Sequence, residues 1–185
     1  TISRVRRVCH FPADFLFCAA MNPCKCGYYP DRSQCFCSEG SVRKYRNRIS
    51  RPLLDRLDLL VEVPKLEYED WRTEKEGETS ASIRSRVEAA CRLQQIRFQN
   101  LPIRFNSQMS GKQVRELCPL GREEEAFMKQ SFEIMGMSPR QYDRIIKVAR
   151  TIADLEGEDQ IREEHLSEAV FYRSMTEKYW GVAEL

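Results

Sequence analysis

Four cysteines crowded into fourteen positions, Cys24, Cys26, Cys35 and Cys37, constrain this chain more than any other feature. They form a C-x-C…C-x-C pattern with eight residues between the pairs. A disulfide scaffold would spread its cysteines along the chain and would usually follow a secretion signal. A tetrahedral metal site instead brings four thiolates together by tight turns. Asn22-Pro23, Gly27 and Tyr29-Pro30-Asp31 supply the turn chemistry beside these ligands. Structural zinc is the expected occupant, which would contribute its affinity directly to folding of the loop. An iron–sulfur cluster and a metal-free loop are the alternatives. The other cysteines, Cys9, Cys18, Cys91 and Cys118, lie in or beside apolar stretches and read as small buried hydrophobes in a reducing, cytoplasmic compartment. His10 and His165 are isolated and join no ligand set.

The 185 residues suffice for one ordinary domain or two small ones, and 42% hydrophobic content is globular. No apolar run approaches the ~20 residues of a membrane span. Net charge is +2, so any surface for nucleic acid must be local.

Ahead of the cysteine loop, Ile2, Val5 and Val8 alternate with Arg4, Arg6 and Arg7, as a hairpin or strand pair would. The apolar run Phe15–Met21 predicts a strand buried on both faces, as in a parallel sheet covered by helices. Such a strand needs flanking parts that do not precede it here, so the chain is expected to be a fragment. Asn22, at the end of that strand, is placed to meet a phosphate or orient a water, or simply begins the turn.

After the loop, Ser41–Arg48 predicts a basic helix, and Arg51–Leu57 a short helix with proline in its first turn. Asp58–Pro64 predicts a second strand ending at proline. Glu67–Glu78, with six acidic and two basic residues, reads as a solvated linker. Helices are predicted from Ser80 onward, with Ile83, Val87, Ala90, Cys91 and Gln94 on one face. Two more cover Ser110–Leu117 and Glu123–Met135. Ser138-Pro-Arg-Gln141 combines cap, first-turn proline and capping-box glutamine, and Tyr142, Ile145, Ile146, Ala149 and Ile152 continue as one apolar stripe to Gly157. A last helix spans roughly Arg162–Arg173.

Two solvent-side arginines stand out. Arg56, flanked by Asp55 and Asp58, is either a local ion pair or a charge-neutralising arginine for phosphoryl transfer. Arg140 shares a helix face with Arg144 and Lys147, either as a solvated face or as a phosphate sensor.

The run Ala19-Ala-Met-Asn-Pro-Cys-Lys-Cys-Gly-Tyr-Tyr29, then Cys35-Phe-Cys37, then Ser50-Arg-Pro-Leu-Leu-Asp-Arg-Leu-Asp58, resembles the magnesium-chelatase-like AAA+ ATPases of the ComM (YifB) group. The stretch from Ser138 to Asp154 resembles the lid of the same family. The resemblance covers almost the whole chain. It implies an α+β fragment, mainly α: the C-terminal part of an AAA+ core over 1–64 with the cysteine insertion at 24–37, an acidic linker over 65–79, and a helical lid over 80–185. It further implies Asn22 as sensor 1, Arg56 as an arginine finger acting in trans, and Arg140 as sensor 2. Ile2–Phe11 matches a hairpin directed at DNA, which makes Arg4, Arg6 and Arg7 candidate phosphate contacts. The parent protein is implied to be a homo-hexamer using ATP and Mg²⁺ for DNA branch migration in natural transformation.

One departure matters. No G-x-x-x-x-G-K-[ST] loop occurs, since Gly111-Lys112 is followed by glutamine, and no acidic Walker-B strand end is visible. The chain alone is therefore expected neither to bind ATP tightly nor to hydrolyse it. Two other readings compete. One is a non-enzymatic zinc module binding nucleic acid through the basic run Arg43–Arg56. The other is the ATPase subunit of a magnesium chelatase in tetrapyrrole synthesis, against which the cysteine insertion argues.

Overall fold

The computed structural model describes residues 1–4, 7–12, 15–66, 68, 72 and 77–181. The chain is mainly helical with one small sheet, and it divides into two compact units, Thr1–Arg48 and Ile49–Leu185.

In the first unit, β1 (Ile2–Arg4) and β2 (Arg7–Cys9) pair antiparallel with Ile2 opposite Cys9, Ser3 opposite Val8 and Arg4 opposite Arg7. This is the expected strand pair. The expected strand Phe15–Met21 is different: it forms no ladder, and Phe15 and Leu16 are 70% and 94% exposed. A strand buried on both faces needs neighbours on each edge. Among the described residues the only strands are β1 and β2, which satisfy each other. The loop that follows leads to α1 (Glu39–Arg46), capped by the Ser38 hydroxyl, which accepts from the Ser41 amide. Val42 on α1 packs against Cys24 and Cys35 to make the small core of this unit.

The second unit opens with α2 (Arg51–Leu54), carrying Pro52 in its first turn. The expected strand Asp58–Pro64 is likewise unpaired, with Val61 and Val63 67% and 85% exposed, for the same lack of a partner edge. Most of the acidic stretch 67–78 lies outside the described residues. Then follow α3 (Ser80–Arg97), a single 3₁₀ turn (Asn106–Gln108), α4 (Gly111–Leu117), α5 (Arg122–Ile134), α6 (Pro139–Glu156) and α7 (Glu163–Trp180). Helix α6 is central and touches α3, α4, α7 and the 3₁₀ turn. Its stripe buries Ile145, Ile146 and Ala149 against Met128 of α5 and Leu166 and Ala169 of α7.

Two sequence expectations shift here. The predicted face of α3 is buried only at Ala90 and Gln94, while Ile83 and Val87 are 44% and 46% exposed. Only the C-terminal half of α3 lies over the other helices. Helix α7 runs to Trp180 rather than stopping near Arg173. No helix among the described residues is long and apolar enough to cross a membrane.

A buried polar knot ties the helices together. Asp154 on α6 accepts two hydrogen bonds from Arg97 at the end of α3 (2.8 and 2.5 Å) and one from the Asn106 amide (2.8 Å). Arg150 donates to the same carboxylate (3.1 Å) and to the carbonyls of Glu158 and Asp159 beyond the helix. His165 is fully buried but structural: Nδ1 accepts from the Arg162 amide (2.9 Å), so Nε2 carries the proton and donates to Glu156 (2.9 Å). Glu156, Glu164 and His165 lie close together, yet that protonated nitrogen offers no lone pair to a metal.

Candidate functional site

The cysteine loop closes as its turn residues predict. Gly27 takes φ +88°, a left-handed conformation that favours glycine, and its amide donates to the Cys24 carbonyl (3.2 Å). Asp31 accepts from the Ser33 amide and hydroxyl (2.9 and 2.6 Å), and its carbonyl receives the Cys35 amide (2.8 Å). Arg46 reaches back from α1 to the Pro23 carbonyl (3.1 Å). The guanidinium groups of Arg32 and Arg46 both lie over the Tyr29 ring, 4.9 and 4.8 Å from its centroid.

These turns bring all four sulfurs into one cluster. Cys24 lies 3.2 Å from Cys26 and 3.8 Å from Cys35, and Cys26 lies 3.5 Å from Cys35 and 3.6 Å from Cys37. None is a disulfide. Four sulfurs at about 2.3 Å from a tetrahedral zinc stand about 3.8 Å apart, so the geometry fits a four-thiolate metal with sub-ångström adjustment. The electrostatics are graded. Burial raises the Cys24 thiol, but backbone amides of Tyr29, Gly27 and Cys26 and the Cys26 side chain outweigh it and bring it down to about 6. Burial pushes Cys35 up to about 11, with the neighbouring Cys24 charge adding to it. Cys37 is also raised: the Cys26 backbone hydrogen bond lowers it, and the Cys26 side chain and burial more than offset that. The set can hold a metal ion, and the surroundings of Cys24 favour the thiolate while those of Cys35 and Cys37 oppose it.

Asn22 directly precedes this loop and is exposed. A side-chain carbon at Gly27 would lie 3.7 Å from its amide nitrogen, so Asn22 lies over the Gly27 turn. Of the hairpin arginines, Arg4 and Arg7 face each other across the β1–β2 pair; Arg6 lies outside the described residues.

In the second unit, the capping box forms as expected: Ser138 Oγ accepts from the Gln141 amide, and Gln141 Oε1 accepts from the Ser138 amide (3.3 and 2.7 Å). It fixes the start of α6, and Arg140, Asp143, Arg144 and Lys147 then project from one face. With Pro139, Asp58 and Ser107 they line a cleft of about 380 Å³. Asp143 presses close to α4; a side-chain carbon at Gly111 would stand 2.6 Å from its carboxylate. Arg144 pairs with Asp58 and donates to the Arg56 carbonyl (2.8 Å), and Lys147 donates to the Ser107 carbonyl (3.1 Å). Burial, then the Arg144 charge, push the Lys147 ammonium below its usual range. An added anion would relieve that repulsion. Arg140 stands exposed at the mouth.

Arg56 is exposed, and its guanidinium touches only its own turn, donating to the Pro52 carbonyl (2.7 Å) among the contacts described. The structure thus sets Arg56 near the Arg140 helix, joined through Arg144. Sequence reasoning missed the residues that do the joining, Gln141, Arg144 and Arg173. The capping box accounted for Gln141 without naming Asp55 as its second partner.

The sequence has known relatives. Residues 77–173 match the family model described as magnesium chelatase, subunit ChlI C-terminal, and residues 1–71 match that of magnesium chelatase, subunit ChlI. The chain belongs to the magnesium-chelatase-like proteins of the ComM/YifB type. It is 39% identical over 175 residues to competence protein ComM of Haemophilus influenzae, covering 94% of this chain and 33% of that protein. It is 37% identical to YifB of Escherichia coli K12, covering 94% and 34%, and 28% identical to Rv2897c of Mycobacterium tuberculosis, covering 93% and 34%. The chain therefore spans about a third of the length of these relatives. Within the magnesium-chelatase-like frame, the helices α3–α7 fall in the C-terminal family region except for the last residues of α7.

Proposed function

We propose that this chain is the C-terminal part of a cytoplasmic, hexameric AAA+ ATPase, coupling ATP hydrolysis to DNA remodelling. In this reading Arg56 neutralises charge on a nucleotide held by the adjacent subunit, Arg140 meets phosphate from the lid, and Asn22 acts as sensor 1. Zinc on Cys24, Cys26, Cys35 and Cys37 would supply a fixed tetrahedral crosslink and no chemistry. Arg4, Arg6 and Arg7 on the hairpin would meet DNA phosphates. The domain division is 1–64 for core, 65–79 for linker and 80–185 for lid.

The observation that carries the reading is the cleft: three cations from one face of α6, against two carboxylates, beside the loop bearing an outward arginine. An arginine that makes no ion pair among the described residues and stands in solvent suits a charge offered to a nucleotide outside its own subunit. The relatives' length beyond the matched region is where the nucleotide-gripping loop would lie, and the competence name of the Haemophilus influenzae relative supports DNA as the partner.

The test uses the full-length gene product. Arg56→Ala protein and a variant that keeps Arg56 but lacks its own nucleotide-gripping loop should each be inactive, and mixing the two should restore ATP hydrolysis, because an intact nucleotide site then meets an intact Arg56 from its neighbour. No recovery in mixed assemblies would remove the trans role. Arg140→Ala should weaken ATP binding. The 185-residue chain by itself should show no turnover.

A further inference from the structure

A charge-neutralising arginine is useful only if it is delivered to a fixed place; a displacement of 1 Å costs on the order of 10²-fold in rate. The element that carries Arg56 cannot fix itself. Helix α2 has four residues, too few to be stable alone, and locally its last carbonyls are held only by the turn that follows, Leu53 by the Arg56 amide (2.9 Å) and Leu54 by the Leu57 amide (3.1 Å). Further partners come from more than eighty residues away in sequence. Arg173, buried on α7 with 4% exposure, donates from Nη1 to the carbonyls of Leu54 (3.2 Å) and Leu57 (2.7 Å). Its Nη2 stands 3.5 Å from the Asp55 carboxylate. From α6, Gln141 donates to the same carboxylate (3.0 Å), and Arg144 donates to the Arg56 carbonyl (2.8 Å). The carbonyls of Leu54, Arg56 and Leu57 are thereby held by α6 and α7, while the Arg56 guanidinium stays exposed.

We infer that Arg173 is a positioning residue for Arg56: its guanidinium holds the Leu54 and Leu57 carbonyls through Nη1 while Nη2 faces the Asp55 carboxylate, and so sets the direction in which Arg56 leaves the turn. The inference rests on reading Arg56 as the charge-neutralising arginine. A lysine is a poor replacement for Arg173, because its single ammonium cannot hold the two carbonyls from one nitrogen and face the Asp55 carboxylate with a second. The same clamp ties the finger to the lid, so a movement of α6 or α7 moves Arg56 with it.

The experiment is a double-mutant cycle on ATP hydrolysis by the full-length gene product. Arg56→Ala is expected to lower kcat about 10³-fold. Arg173→Met should lower kcat at least about tenfold with KM within about twofold, since nucleotide binding is untouched, and Arg173→Lys should fall with it. Adding Arg173→Met to Arg56→Ala should cost nothing more, because a misdirected arginine that is absent cannot be misdirected further. Amides of residues 55–57 should exchange faster in Arg173→Met. If the two losses multiply, or if Arg173→Met keeps full kcat, the positioning role is wrong while the finger reading stands. If Arg56→Ala keeps full kcat, the finger reading itself is wrong. Should Arg173→Met not fold, Asp55→Ala carries the same cycle. It removes the carboxylate shared by Arg173 and Gln141 from a 40% exposed side chain, and its kcat loss should likewise vanish in the Arg56→Ala background.

Discussion

Replacing Asp154 by alanine should be the most damaging single change in the helical unit. The carboxylate is 1% exposed and accepts from Arg97 twice, from Asn106 and from Arg150. Removing it strands two guanidinium groups whose side chains are only 18% and 3% exposed. Breaking a buried charge pair from one side costs about 3–5 kcal/mol. Here the lower end applies. Arg150 keeps the Asp159 carbonyl at 2.7 Å, and Arg97 keeps the Asn106 oxygen at 2.9 Å with some access to water. A loss of about 3 kcal/mol follows, or about 10 °C in melting temperature for a unit of this size. Urea and thermal unfolding followed by far-ultraviolet circular dichroism would measure it. The reasoning also fixes the sign of a second change. Arg97→Met, harmful in the wild type, should recover part of the loss in Asp154→Ala, because it removes a stranded charge. A cost for Asp154→Ala below about 1 kcal/mol, or simple addition of the two losses, would show that burial has been misjudged as the source of the energy.

Other expectations concern the loop and helix α6. Protein prepared in zinc should carry one ion per chain by elemental analysis, and Cys24→Ser should lose it and free the remaining thiols to reagents. Proton release on zinc addition should depend on pH. With Cys24 at about 6 it is already a thiolate at pH 7.5, so fewer than four protons should leave per zinc; at pH 5 it is protonated, and the count measured with an indicator dye should rise. Cys35, at about 11, must give up its proton at both values. Ser138→Ala removes one half of the capping box and should lower the unfolding free energy by about 1 kcal/mol. Its effect should appear as a shifted denaturant midpoint with an unchanged slope.

The parts of this protein that could be read from sequence are those whose signal is local. Ser138, Pro139 and Gln141 lie within one helical turn, and Gly157, at φ +77°, ends the same helix; each acts on atoms a few residues away. The cysteine cluster is legible for the same reason, since its turns and ligands fit within a single loop. The unpaired segments show where locality stops. Phe15–Met21 and Asp58–Pro64 state in their composition that they favour burial, but composition names no partner edge, and the described residues provide none. Ile83 and Val87 obey the helical period just as Ala90 does, yet only the latter meets another helix.

The long-range clamps were invisible for a different reason. Arg173 and Leu57 are 116 residues apart and Arg97 and Asp154 are 57 apart. A backbone carbonyl has no residue identity, so nothing at position 54, 56 or 57 announces that it will be bound by a guanidinium. Sequence therefore points to Arg56 by its surroundings and to Arg140 by its cap, but it cannot say that they ride on one assembly of helices. That connection has a mechanical consequence. Arg144 holds the Arg56 carbonyl while lining the same cleft as Arg140. An anion settling in that cleft would draw on Arg144, and any change in its pairing with Asp58 would be felt at the turn that aims Arg56. The cleft and the turn at Arg56 thus share one side chain, Arg144.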